Sequence, residues 1–491
     1  MEQRLDKMEK IFSPRSVAFV GASNNVSKWG GIVFINILMG GFKGKLYPVN
    51  PKESKIHGRQ AYKSVLDIPG DVDLAILVVP ASVIPDTISE CVKKGIKAGI
   101  VITAGFAELG KEGRELQEEM LRRAHEGGMI LVGPNGQGIA SPGASFYPWL
   151  PNFRPDPGVI GIASQSGGVC TELSEKLAEY GFGCSKVISA GNCADLSLAD
   201  YIEYFGNDPE TRVILLYMEG LTDGRAFLAA AKRVALKKPI VLVKSGRTSA
   251  GEKAAMSHTA SLSGADEIFD AACKQAGISR VKTLNEAVIL AGAFVKTPLP
   301  KGRRLGILTG GGGHGVLMAD EAAMKGIELA ELSESTINKL KPMLPPWWKP
   351  NNPVDMVAGM GYAGPLKILP VLIESGQFDG IIHNGIGWIY SILDPINAPS
   401  DVESFDNSHI KDRLEETNNL SDLLLEYMET SDFPLLVVSK VARLAIRRKY
   451  GSVLKFFERD IMLYSTENVI DAFAAMADRY DFLKSENRLP A

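Results

Sequence analysis

One histidine stands in a tract of small and hydroxyl-bearing residues, Ser257-His258-Thr259-Ala260-Ser261-Leu262-Ser263-Gly264. A neutral imidazole attacks phosphorus or carbonyl carbon near physiological pH, so His258 could carry a group through a covalent intermediate. The same composition also suits a surface histidine in a turn. Two further stretches could hold the charge of a transferred group. Ser164-Gln165-Ser166-Gly167-Gly168 offers hydroxyls and unhindered backbone N–H groups at a helix start, the donors a dianionic phosphate needs. Gly310-Gly311-Gly312-Gly313 offers a second such end, with His314 behind it as a residue that caps or covers the helix. One exposed helix end contributes only ~0.3 to 1 kcal/mol, rising to ~2 when partly buried, so two ends at one phosphoryl group would outweigh either alone. An ordinary serine N-cap and an ordinary glycine turn would read the same way. Glu219, in Met218-Glu219-Gly220, follows a strand-like run and could accept from one nitrogen of His258, leaving the other as nucleophile. A solvated glutamate at a strand end is the alternative.

Three α/β units are needed to position these residues. Val17-Ala18-Phe19-Val20 reads as a strand, Gly21-Ala22-Ser23 as a tight turn, and residues 30–39 as a helix. Apolar runs at 45–49, 74–79, 99–102 and 129–132 alternate with amphipathic segments such as 114–125. Strands that are apolar throughout and alternate with helices predict a parallel sheet covered on both faces. The first unit is therefore expected to be a Rossmann-like domain over residues 1–145, with prolines and glycines at 142–158 as a linker. A second unit, 156–297, opens with the strand Val159-Ile160-Gly161-Ile162-Ala163, has further strands at 213–217 and 239–243, and carries the His258 loop before a helix at 265–276. After Pro298-Leu299-Pro300 a third unit, 301–491, repeats the plan: the strand Leu305-Gly306-Ile307-Leu308-Thr309, the glycine turn, a helix through 323, and a closing helix at 466–482. The repetition predicts two flavodoxin-like domains after the Rossmann-like one.

A glycine turn between strand and helix lets backbone N–H groups approach a pyrophosphate. Gly21-Ala22-Ser23 lacks the second glycine of the GxGxxG pattern, and the next strand ends Val49-Asn50-Pro51-Lys52. An NAD site favours an acidic residue there, whereas Lys52 suits an extra phosphate on the ribose, as in coenzyme A or NADP. A merely solvated lysine is the other possibility. Val79-Pro80, Thr103-Ala104 and Gly133-Pro134-Asn135 follow later strands, on the edge where ligands of open parallel sheets lie.

Composition narrows the partners. At 491 residues the chain has room for about three domains. A net charge of -3, from 54 basic and 57 acidic residues, gives no field to recruit nucleic acid or an anionic membrane. Cys91, Cys170, Cys184, Cys193 and Cys273 form no CxxC pair, so neither zinc nor disulfides are expected, and no metal site is. Residues 1–10 lack the apolar core of a signal peptide, and no run reaches the ~18 apolar residues of a membrane span. These features predict a reducing cytoplasm.

Taken in order, Gly21-Ala22-Ser23, Tyr47-Pro48-Val49-Asn50-Pro51-Lys52, Val79-Pro80-Ala81, Gly133-Pro134-Asn135, Ser164-Gln165-Ser166-Gly167-Gly168, Met218-Glu219-Gly220 and Ser257-His258-Thr259 carry a family resemblance. Any one is weak, and the set in one order is specific. The chain resembles the α subunit of the ADP-forming acetyl-CoA synthetases, in the succinyl-CoA synthetase superfamily of nucleoside diphosphate-forming acyl-CoA synthetases, over nearly its whole length. The resemblance implies a CoA-binding domain, a phosphohistidine domain and a ligase-type domain. By that likeness His258 becomes phosphorylated and Glu219 steadies it, while Ser164, Gln165, Ser166, Gly167 and Gly168, with Gly311, Gly312 and Gly313, hold phosphate. Gly21, Ala22, Ser23, Val49, Asn50, Lys52, Val79, Pro80, Thr103 and Ala104 would contact CoA, and Asn135 the acyl substrate. It also implies a small carboxylic acid and its acyl-CoA as substrates. ADP or ATP with magnesium would sit on a separate ATP-grasp β subunit, in an α2β2 assembly, and this chain has no Walker A sequence. Three departures bear on acyl preference: Gly136 where cysteine is frequent, Ala260 where glycine is, and Gly311-Gly312-Gly313-His314 where an asparagine and a small residue or proline are usual. Two other readings stay open. A non-catalytic CoA-binding regulatory protein would need only the first domain, and an NADP-dependent oxidoreductase would use Lys52 but leave His258 without work.

Overall fold

Short runs of aliphatic residues set the architecture: SVAFV, LAIL, AGIV and ILV form strands in which every residue is buried. Such strands need cover on both faces, and only a parallel sheet flanked by helices supplies it. The computed structural model describes residues 2–248, 250–251, 266–356, 363–387, 408–442, 449 and 451–489. His258 lies outside the described residues. Internal contacts divide the chain into two units, Met1–Ala178 with Gly183–Ala287, and Glu179–Phe182 with Val288–Ala491.

The first unit holds two large sheets. In one, five parallel strands run in the order Lys45–Val49, Ser16–Val20, Leu74–Leu77, Ala98–Val101, Ile130–Val132. In the other, the order is Ile278–Val281, Ile240–Lys244, Val213–Met218, Pro157–Ser164, Cys184–Ser189, Gly138–Ala140, with only the last strand antiparallel. The second unit has one parallel sheet, ordered Glu328–Leu329, Arg304–Thr309, Gly380–Asn384, Leu435–Val438, Leu463–Tyr464, and Val354–Asp355 also pairs with Arg304–Thr309. In each sheet the winding reverses at one strand: Ser16–Val20, Pro157–Ser164 and Arg304–Thr309. Ligand crevices open beyond such switch points, and each of these strands runs into one of the small-residue turns singled out in the sequence.

The Rossmann-like and flavodoxin-like plan is therefore present, with local differences. The strand Gly138–Ala140, expected within residues 1–145, leaves the first sheet and pairs antiparallel with Cys184–Ser189 in the second. Residues 142–158 are not a free linker. Phe146 and Trp149 are fully buried, and Asn36 Nδ2 donates to the carbonyls of Trp149 and Pro151 at 2.9 and 3.0 Å. The prolines and glycines there interrupt secondary structure, but the aromatic residues between them bury too much apolar surface to stay exposed. The helix Leu284–Lys296 passes from the first unit into the second at Val288, ahead of the expected break at 298–300. Cys184–Ser189 escapes a periodicity reading because its sequence, CSKVIS, is half polar. Lys186 is nonetheless buried, since its Nζ donates to Asp208 Oδ2 at 3.3 Å and to Glu210, and the Ser185 hydroxyl meets that of Thr211 at 2.6 Å. Among the described residues no helix is long and apolar enough to cross a membrane.

The second unit buries a histidine at the centre of its sheet. His383 pairs in register with Leu308, is 1% exposed, and has no hydrogen-bond partner on either ring nitrogen among the described residues. Burial disfavours the imidazolium and lowers its pKa to about 4. Between that value and the ordinary one near 6.5 the unfolded chain binds the proton and the folded chain does not, so stability falls as the pH drops through this window. Acidification from pH 7.5 to 5 should cost about 2 kcal/mol at this site. In calorimetric melts at the two pH values, His383→Leu should show a smaller pH-dependent drop in Tm than the parent; an equal drop would show that other groups govern the acid response.

Candidate active site

The edge beyond the first sheet is tied together by its own loops. Gly21, at φ 90°, donates its N–H to Val49 O at 3.1 Å. Asn50 Nδ2 donates to Ala22 O at 2.8 Å, and its Oδ1 accepts from the amides of Lys52 and Glu53. The Ser23 hydroxyl accepts from the Asn25 amide at 3.1 Å. Thr103 is buried, its hydroxyl donates to Val79 O at 2.7 Å, and Asn135 donates its N–H to Thr103 O at 2.9 Å. Two hydrogen-bonded sets thus tie these loops, one joining those after Ser16–Val20 and Lys45–Val49, the other those after Leu74–Leu77, Ala98–Val101 and Ile130–Val132. Ala22 and Val49 are buried, Ser23, Asn50 and Val79 half-buried, and Lys52, Pro80 and Ala104 exposed. A close-packing glycine is supplied by Gly30: a Cβ there would fall 2.0 Å from Gly21 O, so the helix Trp29–Met39 meets the turn by bare backbone. Its distance along the chain, beyond GxGxxG spacing, hid it.

The second sheet presents the phosphate-type turn. The Ser164 hydroxyl, fully buried, donates to Ser166 O at 2.7 Å and accepts from Ser166 N at 3.2 Å, so it folds the turn instead of facing a ligand. Ser166 Oγ accepts from Val169 N at 3.5 Å and caps the helix Gly167–Glu179. The open ground is at Gly167 and Gly168, where first-turn amides have no acceptor within a helix and Gly168 has nothing within 4 Å of its Cβ direction. Gln165 also departs from a phosphate-binding role. Its Oε1 accepts from the amides of Glu219 and Gly220 at 2.6 and 3.1 Å, and its Nε2 donates to Gly220 O at 3.0 Å. Glu219, 9% exposed, follows Val213–Met218 directly, and its carbonyl accepts from Lys244 Nζ at 2.9 Å.

A cavity of about 270 Å³ lies where the two edges of the first unit meet. Trp29 and Leu150 line it together with Asn135, Gln165, Gly167 and Gly168. Asn192, which sequence reading missed, lines it as well. It accepts from Asn135 Nδ2 at 3.1 Å and donates to Glu108 Oε2 at 2.7 Å and Gln117 Oε1 at 3.1 Å. Burial raises the Glu108 pKa, but hydrogen bonds from Asn192 and from the amides of Gly105 and Phe106 outweigh that and hold it below the usual carboxylate range. An ionised Glu108 therefore anchors the amide pair beside the cavity. The signal for Asn192 was its place just past Cys184–Ser189, a strand that its polar residues concealed.

In the second unit Thr309 repeats the Ser164 arrangement: its hydroxyl donates to Gly311 O and accepts from Gly311 N, both at 3.1 Å. Gly311 is the N-cap of the helix Gly312–Met324, and His314 donates its backbone N–H to Gly311 O at 3.1 Å, closing the first turn. This helix end already faces a carboxylate, since a Cβ on Gly312 would lie 2.8 Å from Asp355 Oδ2.

Comparison with known proteins adds a second line of observation. Residues 15–142 match a family model described as a CoA binding domain, and residues 157–294 one described as a succinyl-CoA ligase like flavodoxin domain. The chain is 44% identical over 377 residues to the α subunit of acetate–CoA ligase [ADP-forming] II of Pyrococcus furiosus, covering 76% of this chain and 81% of that one. It is 42% identical over 351 residues to the acetate–CoA ligase [ADP-forming] of Methanocaldococcus jannaschii, covering 72% of this chain but 49% of the other. A solved structure of acetyl-coenzyme A synthetase 1 from Ca. Korarchaeum cryptofilum, described as dinucleotide forming and in complex with phosphate and ADP, superposes with a TM-score of 0.82 at 32% identity, covering 98% of each chain.

The Gly30 contact yields a direct test. Gly30→Ala should lower Tm by several degrees, as overpacking by about 1–3 kcal/mol does, and weaken CoA binding in titration calorimetry more than ~10-fold. Gly224→Ala, where the added methyl meets nothing within 4 Å, should change neither.

Proposed function

This chain belongs to the family of ADP-forming acetate–CoA ligase α subunits, and we propose that it forms the half of such an enzyme in which acyl-CoA and phosphate react, with His258 as phosphoryl carrier. The observation that carries this reading is the cavity between the strand edge of the CoA-binding domain and the helix start at Gly167 and Gly168. Both substrates of the first step find their donors there. A phosphate oxygen attacks the thioester carbonyl carbon, the C–S bond breaks, and CoA leaves as acyl phosphate forms. A His258 nitrogen then attacks phosphorus, the P–O bond to the acyl group breaks, and the carboxylate departs. Attack by an ADP oxygen on the phosphohistidine breaks the P–N bond and gives ATP. The reverse sequence activates a carboxylic acid.

Phosphoryl transfer of this kind asks for positioning and charge stabilisation more than for elaborate proton chemistry. The Gly167 and Gly168 amides supply the stabilisation, and the Glu219 carboxylate accepts from the second imidazole nitrogen and fixes the tautomer. Gly21, Ala22, Ser23, Asn50 and Lys52 receive the nucleotide end of CoA, and Asn135 with Asn192 faces the acyl group. ADP or ATP, with magnesium, binds on a separate ATP-grasp β subunit in an α2β2 assembly. The M. jannaschii relative supports this division, because this chain spans only 49% of its length and the remainder leaves room for such a part. Five free cysteines suit a reducing cytoplasm.

The experiment is labelling with ATP carrying a radioactive γ-phosphate, in the presence of the β subunit. The parent chain should become labelled, His258→Ala should not, and Glu219→Gln should label more than ~10-fold more slowly. Label retained on His258→Ala would overturn the carrier assignment. In titration calorimetry CoA should bind and NADP should not; the opposite result would favour an oxidoreductase.

A further inference from the structure

We infer that Gln165 is a positioning residue for Glu219, and not a phosphate ligand. The inference rests on the reading that Glu219 steadies the phosphoryl-carrying histidine. Three parallel strand ends lie side by side here: Tyr217 pairs in register with Ser164, and Met218 with Lys244. The residues just beyond them are Gln165, Glu219 and Ser245, at the edge where the sheet no longer dictates backbone direction. Without further restraint, the peptide after Met218 would be free to choose the direction of the Glu219 side chain.

Gln165 removes that freedom. Its Oε1 accepts both the Glu219 and the Gly220 N–H, and its Nε2 donates to Gly220 O, so one side-chain amide holds three backbone groups across Glu219 and Gly220. From the other side Lys244 Nζ donates to Glu219 O at 2.9 Å. Both backbone polar groups of Glu219 are thus held by side chains, and its Cα–Cβ direction follows from theirs. Gln165 is held in turn, since its own N–H donates to Tyr217 O at 3.2 Å. Its remaining Nε2 hydrogen faces Cys193 Sγ at 3.9 Å. A primary amide has two acceptor sites and two donors, and all are committed, which leaves none for a phosphate oxygen. A glutamine serves where an apolar residue cannot, because two amides and a carbonyl at this edge would otherwise lose their partners.

The test compares Gln165→Met, which keeps the length and removes the amide, with Glu219→Gln and the double variant, all in the assembled enzyme with the β subunit. Gln165→Met should lower kcat about 10- to 100-fold, as displacement of a reacting group by about 1 Å does, with KM for CoA and for phosphate within about 2-fold. On the Glu219→Gln background the same change should cost less than about 3-fold, since the residue it positions has lost its charge. Hydrogen exchange followed by mass spectrometry should show faster exchange over residues 219–220 with Val213–Met218 unchanged. A raised KM for phosphate, or a full additive loss in the double variant, would overturn the inference in favour of a phosphate contact. Wild-type kcat in Glu219→Gln would instead remove the underlying reading of Glu219, whereas loss in that variant with none in Gln165→Met would remove only the present inference. Should Gln165→Met not fold, Gln165→Glu retains an oxygen able to accept both amides. Its exchange at 219–220 should stay slow, and fast exchange there would count against the acceptor role.

Discussion

The amides of a helix's first turn have no acceptor inside the helix, and the phosphate-type edge of this protein is organised around leaving them available. At Gly167 and Gly168 the requirement is met because none of the preceding side chains accepts from these two amides. Ser164 spends its hydroxyl on Ser166, Ser166 caps Val169, and Gln165 reaches sideways to the next strand end. Ser166 takes up only the third amide of the turn, and Ser164 and Gln165 are occupied elsewhere. What remains is bare backbone beside a cavity.

The same turn, built by a strand-ending hydroxyl that grips the residue two positions on, occurs after Thr309 in the second unit. There a Cβ on Gly312 would come within 2.8 Å of Asp355 Oδ2, whereas nothing lies within 4 Å of one on Gly168, so two similar turns end in different surroundings. The turn is thus a shared backbone device, and the side chains around each copy differ.

Much of this was legible in the sequence, for physical reasons that can be named. Strands buried on both faces carry uninterrupted apolar runs, so Ser16–Val20, Leu74–Leu77 and Arg304–Thr309 announce themselves, and the small-residue turns after the switch strands follow at once. Cys184–Ser189 did not, because a buried Lys186 paired with Asp208 and Glu210 reads as a surface residue until its partners are known. With that strand hidden, Asn192 and its link to Glu108 were hidden too. Gln165 was placed in the right loop, but composition says only that an amide is present, and not which neighbours consume it. Gly30 contributes by nearness to Gly21 in space, which no short motif spacing encodes.

The crossing of Gly138–Ala140 from the first domain's chain segment into the second sheet has a consequence for how such proteins are assembled and rearranged. A segment cut after residue 145 would carry that strand away and expose the edge of Cys184–Ser189, an open template for unwanted pairing. The cofactor-type and phosphate-type folds are thus stitched by this short strand together with the Asn192 bonds to Asn135, Glu108 and Gln117. Recombination between relatives would have to exchange them as a single cassette, with the cavity travelling intact.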